Sequence, residues 1–158
     1  MNDFSLIEQR PQPTAVVRTT IPVAEIPRFL GHAYEAVMRT LGEEGIEPAG
    51  PPFAYYLGVP TDTVELEAGF PVAAPCTPHG EVIPGELPGG TIATGTHVGP
   101  YETMVQTYGE MGKWIADKGL VPQNGMWEIY LTDPQQEPDA SKWQTQIFWP
   151  VAAASIAV

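Results

Sequence analysis

The sequence predicts an α+β fold: a tandem βαββ repeat with pseudo-two-fold symmetry, in which an antiparallel sheet carries two main helices. Three observations predict it. Sliding the chain against itself by 74 residues places Gly45-Ile46-Glu47-Pro48 on Gly119-Leu120-Val121-Pro122, Tyr34 on Tyr108, Arg39 on Lys113 and Tyr56 on Tyr130. Two stretches carry apolar residues at helical spacing, and each is followed by two short, aromatic-rich runs of strand character. Two copies are too few for a solenoid, which needs at least about three repeats to bury a continuous core.

The first element is TAVVRTTI, residues 14–21, a β-branched run that suits a pleated, half-buried surface. Ile26, Leu30, Ala33, Val37 and Leu41 then recur on one helical face. Gly45 is placed to stop that helix in the left-handed conformation, with Ile46 supplying the apolar contact of a Schellman ending. FAYYLG and VELEAGFPV complete a first half of about 14–72, and a Pro-rich linker follows over about 73–88. The second half, about 89–151, opens with GGTIATGTHVG. Pro100 suits a first helical turn, where its missing N–H is not needed, and Glu102 suits the positive end of the helix dipole. Met104, Tyr108, Met111 and Ile115 repeat the apolar stripe, and Gly119-Leu120 repeat the stop. MWEIYL and WQTQIFWPV are the closing strands. A slightly larger shift superposes Phe70-Pro71-Val72 on Trp149-Pro150-Val151, so the second half carries an insertion, assigned to the polar loop at 133–142. The whole chain, 1–158, reads as one domain.

Charge narrows the function classes. Lysine plus arginine number 7 against 19 acids, a formal net charge of -12. Such a surface repels phosphate backbones and anionic lipid, so neither direct nucleic-acid binding nor membrane binding is expected. Cationic ligands are favoured. Cys76 is the only cysteine, which excludes an internal disulfide and any cysteine-built zinc site. The opening MNDFSLIEQR lacks a basic stretch followed by an apolar core, and no segment reaches transmembrane length, so a cytoplasmic location is expected. His32 and His79 belong to no metal-ligand spacing, and no G-x-S-x-G, Walker A or G-x-G-x-x-G signature occurs. The expectation is no metal and no cofactor.

Strand parity singles out one acid. On GMWEIYL, Trp127, Ile129 and Leu131 share a face that reads as core, while Met126, Glu128 and Tyr130 share the other. A carboxylate between Met and Tyr is either solvated or meets a partner. The repeat places Ala54 and Tyr56 where Glu128 and Tyr130 lie in the second half, so the two half-sites are unequal. If the inner strands meet at the pseudo-two-fold, they form an aromatic cleft with one acid, suited to a flat, apolar cation.

The run THVGPYETMVQTYGEMGKWIADKGLVPQNGMWEIYLTDP, followed by TQIFWPV, resembles the GyrI-like small-molecule-binding domain, which also serves as the effector domain of multidrug-responsive MerR- and AraC-type regulators. The shared features are the H-x-G-P-Y corner, the W-I helix, the G-L-x-P turn, the E-x-Y strand and the closing T-x-I-x-x-P-V strand. GFPV at 69–72 extends the likeness to the first half. The resemblance implies a central ligand groove that takes hydrophobic, planar or cationic small molecules. It places the family's ligand-reading glutamate on Glu128, its strand partner on Tyr130, and the aromatic walls on Tyr56 and Phe148, with Phe148 and its strand neighbour Trp149 alternating so that either could face the groove; Tyr101, at the Gly-Pro-Tyr corner, is read as a rim residue. No basic or helix-turn-helix-like segment precedes residue 14, so a stand-alone form without DNA binding is expected.

The same resemblance implies a second reading, a hydrolase of strained electrophiles such as cyclopropanoid alkylating compounds. In it Glu128 draws a proton from water and Tyr56 or Tyr130 hydrogen-bonds the oxygen on which charge develops. DNA gyrase as a protein partner ranks below small molecules, because the acids form no regular phosphate-like row. A haem-binding reading rests only on the similar tandem fold of the SOUL-type haem proteins, with His97 as the ligand candidate. His97, at the end of its strand, reads as a packed or hydrogen-bonded residue; Glu65 and Glu67 read as a solvated face.

Overall fold

The computed structural model describes residues 4–57, 61–123, 125–132 and 136–153. In chain order the elements are β1 (Phe4–Gln9), β2 (Gln12–Pro22), α1 (Ile26–Glu44), β3 (Phe53–Tyr56), β4 (Thr63–Pro71), β5 (Ile83–Leu87), β6 (Gly90–Val98), α2 (Met104–Asp117), β7 (Leu120–Pro122), β8 (Met126–Tyr130) and β9 (Gln144–Ala153). The strands form one antiparallel sheet in the order β1-β6-β9-β8-β3-β4-β2-β5, with β7 added to β9. The α+β class and the tandem arrangement of helices and strands are those the sequence predicts.

The halves join at the β3–β8 pair, where Ala54 lies directly opposite Glu128. Those residues are repeat mates, so the pseudo-two-fold passes between them. Three strands were not expected. β1 adds to β6 of the second half, β5 lies in the segment read as a linker and adds to β2 of the first, and β7 occupies the turn after the second helix stop.

Alternation along the strands divides the apolar side chains between two faces. On one, Ala15, Val17 and Ala68 pack against Ala33, Ala36, Val37 and Leu41 of α1. Ala93, Ile147 and Val151 on the same face pack against Met104, Met111 and Ile115 of α2. On the other face, Val16, Phe53, Leu87, Ile92, Trp127 and Phe148 form a single cluster joined by Ile7 and Ile83. Ile7 and Ile83 belong to strands at opposite ends of the sheet order. They share a cluster because the sheet curls into a half-barrel with this face inside. Trp127 stacks on Phe148 there, centroids 5.2 Å apart and planes 7° from parallel. Leu131 departs from its expected place in the core: it lies just past the end of β8 and is exposed. Glu67 departs the other way and is buried.

The α1 stop is as expected. Gly45 adopts φ 70°, its N–H donates to the Gly42 carbonyl at 3.3 Å, and the Ile46 N–H donates to the Leu41 carbonyl at 2.8 Å, the two bonds of a Schellman motif. Gly45→Ala is expected to cost about 1–2 kcal/mol, because a Cβ disfavours this conformation; thermal unfolding of the variant measures it. The start of α2 differs from expectation. Pro100 precedes a 3-10 turn at 101–103, and α2 begins only at Met104. The Pro100 carbonyl accepts from the Thr103 N–H at 3.2 Å and the Thr103 hydroxyl at 2.8 Å, which holds that turn.

Candidate ligand-binding site

Glu128 is 7% exposed and lies on the helix-covered face of β8. The Tyr108 hydroxyl, from α2, donates to its Oε2, and the Tyr130 hydroxyl donates to its Oε1 at 2.7 Å. The Tyr56 and Tyr130 hydroxyls lie 3.3 Å apart. Tyr34, the repeat mate of Tyr108, instead donates from α1 to the Phe53 carbonyl at 3.0 Å. Two repeat-related pairs of tyrosines thus gather around the pseudo-two-fold, and the asymmetry of Ala54 against Glu128 gives one half a carboxylate. No salt bridge to Glu128 occurs among the described residues.

Electrostatics follow from that burial. Loss of solvent pushes the Glu128 carboxyl above its usual range; the bonds from Tyr108 and Tyr130 and the nearby His97 pull the other way. Burial also pushes the Tyr108 and Tyr130 phenols well above theirs, with the Glu128 charge adding to it. Both phenols therefore stay protonated and act as donors.

Parity settles which residue of β9 stands on this face. Trp149 meets Tyr108 edge-on, centroids 5.9 Å apart. Phe148 points to the inner face and stacks on Trp127, so it is removed from the set of expected walls. Tyr56 and Tyr130 stand where the sequence places them, and the side chain of Tyr101 lies outside the described part of the chain. Sequence reading missed Tyr108 and Tyr34 as site residues. The signal was present, since the same shift that pairs Tyr56 with Tyr130 pairs Tyr34 with Tyr108, yet both sit on helical stripes that read as core.

His97 is 3% exposed and knits the corner together. Its Nδ1 lies 2.6 Å from the Thr107 hydroxyl of α2, and its Nε2 lies 3.0 Å from the Pro100 carbonyl and 3.1 Å from the Thr103 hydroxyl. Both ring nitrogens are occupied within the fold, which fits a positioning role. A polar cleft of about 410 Å³ opens outside this corner and reaches His97, but Glu128 does not line it. His97→Ala is expected to cost about 1–3 kcal/mol by removing the buried ring's hydrogen bonds to Thr107 and to the Pro100 carbonyl, as urea unfolding would register. Among the described residues no group of three His, Cys, Asp or Glu side chains is placed to hold a metal ion, and no helix is long and apolar enough to cross a membrane.

A half-barrel whose pseudo-two-fold carries a buried carboxylate ringed by tyrosines defines a small-molecule-binding module. The chain belongs to the GyrI-like small molecule binding domain family, whose model matches residues 2–152. Among solved structures, the C-terminal domain of EcmrR is similar, with TM-score 0.79, 20% identity and coverage of 98% of this chain and 99% of that one. EcmrR in its DNA complex gives TM-score 0.78 and 19% identity over 97% of this chain, which spans only 58% of the EcmrR chain. A hydrolase from Listeria innocua is similar at TM-score 0.68 and 16% identity over 94% of this chain and 91% of its own. SAV2435 bound to tetraphenylphosphonium is similar at TM-score 0.64 and 11% identity over 95% of this chain and 94% of its own. At these identities the likeness is one of fold. No curated protein sequence matches the chain.

Proposed function

We propose that the protein binds lipophilic, planar or cationic small molecules, with Glu128 as the counter-charge, for sensing or sequestration. One observation carries this reading: a carboxylate 7% exposed, held by two phenols and paired with no cationic side chain among the described residues. Burying such a charge is costly unless it is compensated, and a cationic ligand would compensate it. Tyr56, Tyr130 and Trp149 supply aromatic surface for the same ligand. Tyr108 covers Glu128, so the ligand reaches the carboxylate when Tyr108 gives way. The fold shared with a structure holding tetraphenylphosphonium supports the ligand class. Fluorescence titration with rhodamine 6G and with a neutral dye of similar shape tests the reading. Micromolar binding of the cation, displaced by a quaternary ammonium compound and much weaker for the neutral dye, is the expected result; equal affinity for the two dyes would sink it.

A second reading is favoured by the arrangement of donors. Glu128 as base and Tyr56, or Tyr130 once its hydrogen bond to Glu128 is released, as donor fit water attack on a strained ring: the water oxygen bonds the ring carbon, its proton passes to the carboxylate, and the electron pair of the broken carbon–carbon or carbon–oxygen bond ends on the substrate oxygen that the tyrosine holds. Glycidyl ethers or cyclopropyl-indolines followed by mass spectrometry decide it. Ring-opened product beyond one equivalent, lost in Glu128→Gln and retained in His97→Ala, supports hydrolysis; binding without turnover leaves a sequestering protein.

A further inference from the structure

We propose that the polar cleft outside the His97 corner is a second ligand site, separate from Glu128, for a small hydroxylated amine in its protonated form, about the size of one amino-sugar ring. The cleft has the room, about 410 Å³, within the range of small-molecule sites. Two stretches of chain wall it. One is the end of β6 with the corner that follows, His97 to Pro100; the other is the start of α2, where Thr103, Gln106, Thr107 and Glu110 share one face at helical spacing. Ser141, in the 3-10 turn before β9, also lines it. The buried members form the floor: His97 and Thr107 are each 3% exposed and lie within hydrogen-bond distance of one another. This floor is built by the fold itself, so the cleft keeps its shape without a ligand.

Donors and acceptors are unequal in this cleft, and that inequality sets the ligand class. The Thr103 hydroxyl donates to the Pro100 carbonyl at 2.8 Å, and the Ser141 hydroxyl donates to Asp139 Oδ1 at 2.6 Å. Both hydroxyl protons are thereby committed, and the oxygens keep lone pairs to offer. Both His97 ring nitrogens already face partners within the fold. Glu110 is exposed, and neither its carboxylate nor the Gln106 amide has a hydrogen-bond or ion-pair partner among the described residues. Acceptors with one carboxylate among them favour a cation that brings several donors, and the net charge of -12 adds to that preference. A primary ammonium at Glu110, with hydroxyls reaching Thr103, Gln106 and Ser141, satisfies this set. Pro100 and Val98, the latter 54% exposed, supply apolar surface for the C–H face of a ring. A quaternary ammonium brings no donor, which separates this ligand class from the lipophilic cations proposed for Glu128.

The full chain, isotope-labelled, is titrated with D-glucosamine hydrochloride at mildly acid pH, where the amine is protonated. N-acetyl-D-glucosamine and tetraethylammonium chloride are titrated in parallel. The amide resonances of Val98, Gln106, Glu110 and Ser141 report on the cleft, and those of Glu128 and Tyr130 on the central site. Glucosamine is expected to move the four cleft amides saturably, the neutral sugar to bind about threefold or more weakly, and tetraethylammonium to leave them in place. Glu110→Gln should weaken glucosamine about threefold to fivefold, the size of an exposed charge pair. Gln106→Trp, at an exposed helix position, should abolish binding by filling the cleft while circular dichroism stays that of the wild type. Glu128→Gln should leave glucosamine affinity unchanged, so the result does not depend on the reading of the central site. Absence of saturable shifts overturns the proposal, as does equal affinity for the neutral sugar or affinity unchanged by Glu110→Gln. Shifts that persist in Gln106→Trp, or vanish in Glu128→Gln, overturn it too, the last by moving the amine to the central site.

Discussion

Trp127→Ala should lower the unfolding free energy by about 3–5 kcal/mol, the range for truncating a large aromatic in a packed core. Trp127 is 1% exposed, stacks on Phe148 and meets Tyr55 edge-on at 6.0 Å. It stands at the middle of the sheet order, where the inner cluster joins strands from both ends. Removing the indole leaves a cavity bounded by both halves, and neither helix can fill it from the other side of the sheet. Urea unfolding monitored by circular dichroism measures the loss. A change below about 1 kcal/mol, the size of a routine surface or mildly tolerated substitution, would contradict this account of the core.

Glu128→Gln should weaken binding of a cationic dye about tenfold to a hundredfold, the equivalent of losing a hydrogen-bonded charge partner worth about 1.5–3 kcal/mol. Binding of a neutral dye should change little, since the aromatic surface of Tyr56, Tyr130 and Trp149 remains. The pH dependence gives a second handle. Burial raises the Glu128 carboxyl in the folded protein, so affinity for a permanent cation should climb as pH rises through that raised value and then level off, with proton release on binding below it. Without ligand the sign for stability is opposite. An acid whose folded pKa is raised contributes stability that is present below the unfolded value of about 4.3 and lost as pH rises through the folded one. Glu128→Gln should flatten that loss. Glu67, raised in the same direction by burial, should leave a remainder that disappears in the double variant with Glu67→Gln.

Much of this arrangement was legible in local chemistry. The β-branched and aromatic runs, the apolar stripes of 26–41 and 104–115, and the Gly-apolar stops at Gly45 and Gly119 each act through their own neighbours, so their pattern survives as sequence. The self-match by 74 residues went further. It paired Tyr56 with Tyr130, whose hydroxyls lie 3.3 Å apart, and set Glu128 against Ala54, the pair that meets across the pseudo-two-fold. Period-two alternation likewise separated Glu128 from Trp127.

Other features depend on partners far away in the chain. The run FSLIEQ is a strand because β6, some eighty residues on, offers an open edge, and IPGEL is one because β2 does; neither has a strong pattern of its own. Whether Phe148 or Trp149 stands beside Glu128 required the register of β9 against β8, because a one-residue slip exchanges the faces. The roles of Tyr34 and Tyr108 required α1 and α2 to be docked on the sheet, since a helical stripe alone does not distinguish a packing tyrosine from one that reaches a carboxylate. Glu67 shows the same limit. Its alternation with Glu65 matches a solvated face, and only the curl of the sheet, which brings β5 and Gly85 over it, makes it a buried charge. The sequence by itself determined the strands and helices of the two βαββ halves, their twofold repetition and the identity of the central acid, because those follow from short-range chemistry and periodicity. Tertiary structure alone decided which strands close the sheet, which aromatics surround that acid and which second carboxylate is buried, because these follow from register and curvature set by residues distant in the chain.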